Sequence, residues 1–137
     1  MIRECSSQNI NFHGFLPNPQ EILSETSVFV SIQSTNNYPS QSVLEAMACG
    51  NAIVATDVGD TGMFINELNG TLIPLKIEAL VNALRQYIEN PKSAAKKGLY
   101  AAEYVRKEFT IERTADYYMS LFKKASQTKN SSSICLE

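Results

Sequence analysis

The sequence has few cysteines, one histidine and no long apolar run. Its three cysteines, Cys5, Cys49 and Cys135, have neither paired spacing nor a metal-binding pattern, and a single histidine argues against a zinc site. We therefore expect free thiols in a reducing, cytoplasmic environment. No apolar segment is long enough for a transmembrane helix, and the first residues do not follow the pattern of a signal peptide.

The sequence also lacks a large excess of positive or negative charge. Charged residues make up 19% of the 137 residues, and the formal net charge is -2. This balance excludes the basic field that nucleic-acid binding needs. The length fits one domain or part of one. Three basic pairs on predicted helices are expected to form a solvated face, and peripheral contact with the inner face of a membrane is the alternative. The pairs are Lys96-Lys97, Arg106-Lys107 and Lys123-Lys124.

Short apolar runs alternate with helical patterns along the chain. Strands are predicted at residues 10–14, 27–32, 52–56 and 71–74. The run at 27–32 lacks polar alternation, which is typical of a strand buried on both faces. Helical spacing dominates the last third of the sequence. The alternation favours an α/β fold with a Rossmann-like parallel sheet and flanking helices.

The chain divides into a folded part and a tail. Residues 1–125 are interpreted as one partial domain. Residues 126–137 are polar and low in complexity, which predicts a flexible tail. The terminal Leu136-Glu137 resembles a cloning scar and is excluded from the fold prediction.

Three segments follow predicted strands, at residues 14–17, 33–41 and 57–62. Parallel sheets bind ligands at the carboxyl ends of their strands, so these segments are expected on one rim. A helix predicted to begin near Pro39 leaves its first backbone N–H groups unpaired. Those donors and the helix dipole suit an anion such as a diphosphate.

Glu45 lies on the same predicted helix face as Gln41 and Ser42. Its other neighbours are apolar or small, so a carboxylate at this position indicates a function. Acidic residues of nucleotide-binding sheets accept hydrogen bonds from ribose hydroxyls, and Glu45 is a candidate for that role. The alternative is that Glu45 is exposed or bonds a neighbouring backbone N–H, and spacing alone leaves both open.

The run from 38 to 57, Tyr-Pro-Ser-Gln-Ser-Val-Leu-Glu-Ala-Met-Ala-Cys-Gly-Asn-Ala-Ile-Val-Ala-Thr-Asp, resembles the donor-site signature of glycosyltransferase family 4. Residues 12–15, 54–60 and 69–73 are similar to further blocks of that family, in the same order. The resemblance covers most of residues 10–125. It implies a GT-B fold, of which this chain is part of the C-terminal, nucleotide-sugar-binding domain.

The resemblance implies a retaining glycosyltransferase with a nucleotide-sugar donor and no bound metal or cofactor. The acceptor is then a polysaccharide, a lipopolysaccharide or a lipid-linked sugar. Glu45 matches the second glutamate of the family's Glu-x7-Glu motif, which binds the ribose hydroxyls. The first glutamate falls at Asn37, which keeps an acceptor but loses the charge. Asn36 beside it can substitute as the contact with the donor sugar.

Glu45 and Asn37 are therefore the candidate catalytic residues. The other donor-binding residues that the resemblance implies are Gly14, Phe15, Asn36, Tyr38, Pro39, Ser40, Gln41 and Ser42. Among them, the backbone near Gly14 is expected to contact the nucleobase of the donor, and the N–H groups of Ser40 to Ser42 are expected to bind its diphosphate.

The acceptor domain of such enzymes, and the arginine–lysine pair that holds the diphosphate, are not in this sequence. We therefore expect the 137 residues to bind nucleotide weakly and to transfer no sugar alone. An open strand edge is expected to favour self-association. The alternative function is a non-catalytic α/β domain that binds nucleotide or a partner protein, with Asn37 marking lost catalysis.

Overall fold

The computed structural model describes residues 9–131, with side chains described through residue 127. Cys5, Cys135 and the predicted cloning scar lie outside the described residues. The elements are, in order, α1 Pro19–Glu25, β1 Val28–Ser31, α2 Gln41–Ala48, β2 Ala52–Thr56, a 3-10 turn Thr61–Met63, β3 Gly70–Ile73, α3 Ile77–Glu89, α4 Pro91–Glu108 and α5 Ile111–Ser131.

The three strands form one parallel sheet in the order β1-β2-β3. Val28 lies opposite Ala52, and Ile53 lies opposite Gly70. All five residues of β2 are buried, which explains its apolar sequence without alternation. The predicted α/β fold, a parallel sheet with flanking helices, is confirmed.

Alternate residues of β2 enter two separate cores, because successive side chains of a strand point to opposite faces. Ile53 and Ala55 pack in the core that α2 and α4 cover. Ala52 and Val54 pack in the core that α3 covers, which also takes in the start of α4. Helices on both faces therefore leave only the ends of the central strand open to ligands.

The two edges of the described sheet differ. At the β3 edge, Lys97 Nζ donates to the Gly70 carbonyl oxygen at 2.7 Å and contacts Thr71 Oγ1 at 3.3 Å. On the β1 side, Val30 is 37% exposed and Ile32, just after the strand, is 47% exposed. The β3 edge is thus occupied by a charged side chain, a common protection of edge strands. The prediction that the strand at 27–32 is buried on both faces is wrong, because β1 is an edge strand of the described sheet and none of its four residues is fully buried.

Residues 10–14 do not form the predicted strand. They are exposed, with Phe12 at 65%, and they pair with no strand of the described chain. An isolated apolar run has no ladder to bond its backbone groups, so its pattern is not sufficient to make a strand.

The predicted flexible tail is helical for its first six residues, since α5 continues to Ser131. Polar residues such as lysine and glutamine are good helix formers on an exposed face, so low complexity did not end the helix. Residues 111–127 are all exposed. Within residues 9–131, no helix has both the length and the apolar character needed to cross a membrane.

Helix α4 packs closely on the turn that precedes β2. A Cβ atom added at Gly98 would overlap the carbonyl oxygen of Gly50. The contact is between backbones, so no flexible side chain can move aside. Any side chain at position 98 must displace α4 from the sheet.

We therefore expect Gly98→Ala to lower the free energy of unfolding by about 1–3 kcal/mol, the usual cost of overpacking. Gly62→Ala is the matched control, because its Cβ would meet only Leu72 Cδ1 at an ordinary 3.6 Å. Urea unfolding of both variants measures the difference. Equal midpoints for Gly98→Ala and the wild type would contradict the close packing.

Candidate functional site

The carboxyl ends of β1 and β2 lie side by side, so the segments that follow them share one rim of the sheet. Residues 32–40 join β1 to α2, and residues 57–60 lead from β2 to the 3-10 turn. Two of the three segments predicted for this rim, 33–41 and 57–62, are therefore where the sequence places them.

The start of the loop after β1 is fixed by Thr56, the last residue of β2. Thr56 Oγ1 accepts a hydrogen bond from the Gln33 backbone N–H at 2.8 Å and donates to the Gln33 carbonyl oxygen at 2.8 Å. The Thr56 side chain is buried. Sequence reasoning missed this role, although Thr56 is the one polar residue of an otherwise apolar strand.

The sequence predicted that helix α2 begins at Pro39. In the structure it begins two residues later, at Gln41. Ser40 is the N-cap and has an extended backbone, φ -72° and ψ 116°. It follows a cis Tyr38-Pro39 peptide bond. The extended Ser40 separates Pro39 from the helix, so Pro39 is not in the first turn.

The Ser40 hydroxyl does not cap the helix. It lies 3.4 Å from Gln33 Nε2, which donates to it, and 3.3 Å from the Ser42 hydroxyl. The first helical bond runs from the Leu44 N–H to the Ser40 carbonyl oxygen at 3.0 Å. In the described part of the chain, the backbone N–H groups of Ser40 to Ser42, which the sequence predicted for this role, have no hydrogen-bond partner, and the N–H of Val43 has none either.

Glu45 lies on the exposed face of α2. The opposite face is buried, so the helix is half covered and not mostly buried as its sequence suggested. In the described part of the chain the Glu45 side chain has no hydrogen-bond or ion-pair partner. Gln41 and Ser42, one turn earlier, are also exposed. The exposed carboxylate is what the alternative interpretation of Glu45 expected, and it also leaves the side chain accessible to a ligand at the helix N-terminus.

Asn37 and Asn36 have different environments. The Asn36 amide is bonded to the protein, since its Nδ2 donates to Asp60 Oδ2 at 2.8 Å and its Oδ1 accepts from the Asp60 N–H at 3.2 Å. Asn37 lines a narrow cleft with Gln33, Ser40 and the end of β2, and its amide has no partner among residues 9–131. The side-chain amide of Asn36 is thus occupied by the protein, whereas that of Asn37 is available for a further hydrogen bond.

An aromatic contact holds the end of the loop between β1 and α2. Tyr38 packs edge-on against the buried Phe64, with ring centroids 5.5 Å apart. Burial, with smaller contributions from Tyr38 and Glu108, raises the pKa of Tyr104. The Tyr104 ring packs edge-on against Phe109, with ring centroids 5.8 Å apart.

In the described chain, no contact places Gly14 or Phe15 beside the loop that follows β1. Phe15 is 94% exposed, and no hydrogen bond of the described chain joins either residue to the loop after β1. Their predicted contact with the base stays a prediction. Nowhere in residues 9–131 do three or more histidine, cysteine or acidic residues gather as a metal site.

The rim segments are acidic. Residues 33–45 and 57–63 contain Glu45, Asp57 and Asp60 but no lysine or arginine. An anion bound there relies on backbone N–H groups and the α2 dipole, because no cation of these segments is available.

The chain is similar to known sugar transferases. The family model for glycosyl transferases group 1 matches residues 2–90. A relative from Rhizobium leguminosarum bv. viciae, the lipopolysaccharide core biosynthesis mannosyltransferase LpcC, is 32% identical over 111 residues, covering 80% of this chain and 31% of that protein.

A solved structure, sucrose-phosphate synthase from Thermosynechococcus elongatus, superposes with a TM-score of 0.64 and 27% identity, covering 72% of this chain and 26% of that one. The chain thus spans less than a third of either relative. The family resemblance seen in the signature at 38–57 is confirmed. The chain belongs to the group 1 glycosyl transferases, and its sheet and helices are part of a GT-B fold.

Proposed function

We propose that this chain is the donor-binding part of a retaining glycosyltransferase. The observation that carries the proposal is the pairing, on one helix, of unbonded amides and a free carboxylate. Gln41, Ser42 and Val43 present N–H groups at the rim, and Glu45 presents an unpartnered carboxylate one turn further. A nucleoside diphosphate carries groups that match both: its diphosphate is an anion that the amides can bind, and the vicinal hydroxyls of its ribose can donate to the carboxylate.

The spacing of the two groups supports this assignment. One helical turn rises about 5.4 Å, which is the scale that separates a ribose ring from the phosphates it carries. The amides and the helix dipole stabilise the diphosphate, both when bound and as a leaving group. The Glu45 carboxylate accepts hydrogen bonds from the two ribose hydroxyls, and no metal or cofactor enters this scheme.

Asn37 contacts the donor sugar in this proposal. Its amide can donate to one sugar hydroxyl and accept from another, and it lines the cleft beside the α2 N-terminus. Asn37 has no charge, so it neither takes a proton as a base nor stabilises a cation as a carboxylate does. Its contribution is to position the sugar.

The relatives support a hexose donor and a glycan acceptor. One of them is named a lipopolysaccharide core mannosyltransferase, so we favour a polysaccharide, lipopolysaccharide or lipid-linked acceptor. The acceptor binds through a second domain that is not in these residues. We place the reaction in the cytoplasm, with peripheral contact at the inner face of the membrane where the acceptor is lipid-linked.

The second candidate is a non-catalytic α/β domain that binds a nucleotide or a protein. Two observations favour it: the neutral Asn37, and rim segments with carboxylates but no basic side chain. The same lack of cations supports weak nucleotide binding and no turnover by the 137 residues alone. The open β1 edge, with Val30 and Ile32 exposed, supports self-association of the isolated chain.

We expect Glu45→Ala in the full-length protein to lower kcat/KM for the nucleotide sugar about 10- to 100-fold. Hydrogen bonds to a charged group contribute about 1.5–3 kcal/mol, which gives this range. Initial-rate kinetics with varied donor measures the effect. Glu67→Ala removes another exposed carboxylate, away from α2, and serves as the control. A Glu45→Ala enzyme within two-fold of wild type would contradict the ribose contact, whereas a wild type that transfers no sugar would favour the non-catalytic domain.

Asn37→Ala separates sugar binding from nucleotide binding. We expect kcat/KM for the nucleotide sugar to fall about ten-fold, because one or two hydrogen bonds to the sugar are lost. Inhibition by the free nucleoside diphosphate should be unchanged, since it lacks the sugar. The inhibition constant is therefore the internal control, and a parallel weakening of both would place Asn37 at the phosphates instead.

A further inference from the structure

The loop between β1 and α2 is fastened at its tip to the loop after β2. Asn36 Nδ2 donates to Asp60 Oδ2 at 2.8 Å, and the Asp60 backbone N–H donates to Asn36 Oδ1 at 3.2 Å. The side-chain amide of one loop is thereby bonded to both the side chain and the backbone of the other. We call this pair of hydrogen bonds the rim clamp.

Gly59 makes room for the rim clamp. A Cβ atom added at Gly59 would overlap the Cβ and Cγ atoms of Asn36. Gly59 also has φ +56°, a left-handed conformation that side chains disfavour. The absence of a side chain at 59 therefore lets Asn36 lie flat on the second loop and reach Asp60.

The rim clamp is the side-chain anchor of the middle of the loop. Gln33 is held by Thr56 at the start, and Tyr38 rests on Phe64 near the end. Between these anchors, Asn36 is the residue whose side chain bonds another loop. Asn37 follows it directly, so the position of the Asn37 amide over the cleft depends on the clamp.

We propose that Asp60 is a positioning residue for the donor sugar, acting through Asn36 on Asn37. The inference rests on the proposed function, because it assigns Asn37 to the sugar. Asp60 orders the loop before the donor binds, so binding does not have to supply that ordering entropy. Asp60 touches no substrate in this scheme, and its charge is not required. An acceptor oxygen at that position is sufficient.

The test compares Asp60→Ala, Asn36→Ala and their double variant with Asp60→Asn. The asparagine keeps an oxygen acceptor for Asn36 Nδ2 and leaves the backbone N–H at 60 in place. Glu67→Ala is the matched control, because it removes an exposed carboxylate that belongs to neither of the two loops joined by the clamp. Both Asn36 and Asp60 are exposed, so the variants should remain folded, which thermal unfolding checks.

Two readouts are needed. Amide hydrogen exchange of the backbone N–H of residue 60, which donates to Asn36 Oδ1, reports on the rim clamp itself without any nucleotide. Kinetics of the full-length protein reports on the donor. We expect both single alanine variants to exchange faster at the N–H of residue 60 and to lose about ten-fold in kcat/KM for the nucleotide sugar. The double variant should lose no more than either single variant. Asp60→Asn and Glu67→Ala should match the wild type in both readouts.

Three outcomes would overturn the proposal. Unchanged exchange in Asp60→Ala means that the clamp does not order the loop. A loss in Asp60→Asn as large as in Asp60→Ala means that the charge acts directly on the ligand. Additive losses in the double variant mean that the two residues act separately. If the wild type transfers no sugar while Asp60→Ala still exchanges faster, the proposed function fails and the donor-positioning role fails with it, although the clamp itself stands.

Discussion

Burial of β2 on both faces is the constraint on which the site depends. Because helices cover each face, polar groups can be placed only where the strand ends. Thr56 is the last residue of β2, and its hydroxyl bonds both backbone groups of Gln33. The buried strand thus fixes the start of the loop after β1. Because this loop leads into α2, it also influences where the N-terminus of α2 lies.

The site combines one rigid element with one fastened loop. The α2 helix is held by Val43, Ala46 and Met47 in the core, so its free amides and Glu45 have fixed relative positions. The loop carrying Asn37 has no regular structure and relies on separate contacts. Ordering such a loop before the ligand arrives reduces the entropy that binding must overcome. In the proposed function, the anion depends on backbone groups because the segments 33–45 and 57–63 have no lysine or arginine.

Much of this architecture could be predicted from residues alone, because β2 and β3 are apolar runs with clear ends and α2 stops at Gly50. The strand predicted at 10–14 failed, since strand formation requires a partner strand that a local pattern does not reveal. The start of α2 depends on the extended Ser40, and the contact of Asn36 with Asp60 joins residues 24 positions apart. Neither leaves a signal in local spacing, whereas the family signature did identify Glu45 and Asn37 as candidates.

The most direct test of donor binding at α2 is a titration of the isotope-labelled chain with uridine or guanosine diphosphate at millimolar concentration, followed by amide resonances. The account predicts saturable shifts of the Gln41, Ser42 and Val43 amides, since these N–H groups are unbonded and point to the rim. Shifts confined to other parts of the sheet, or no saturable shift at these three amides, would contradict it.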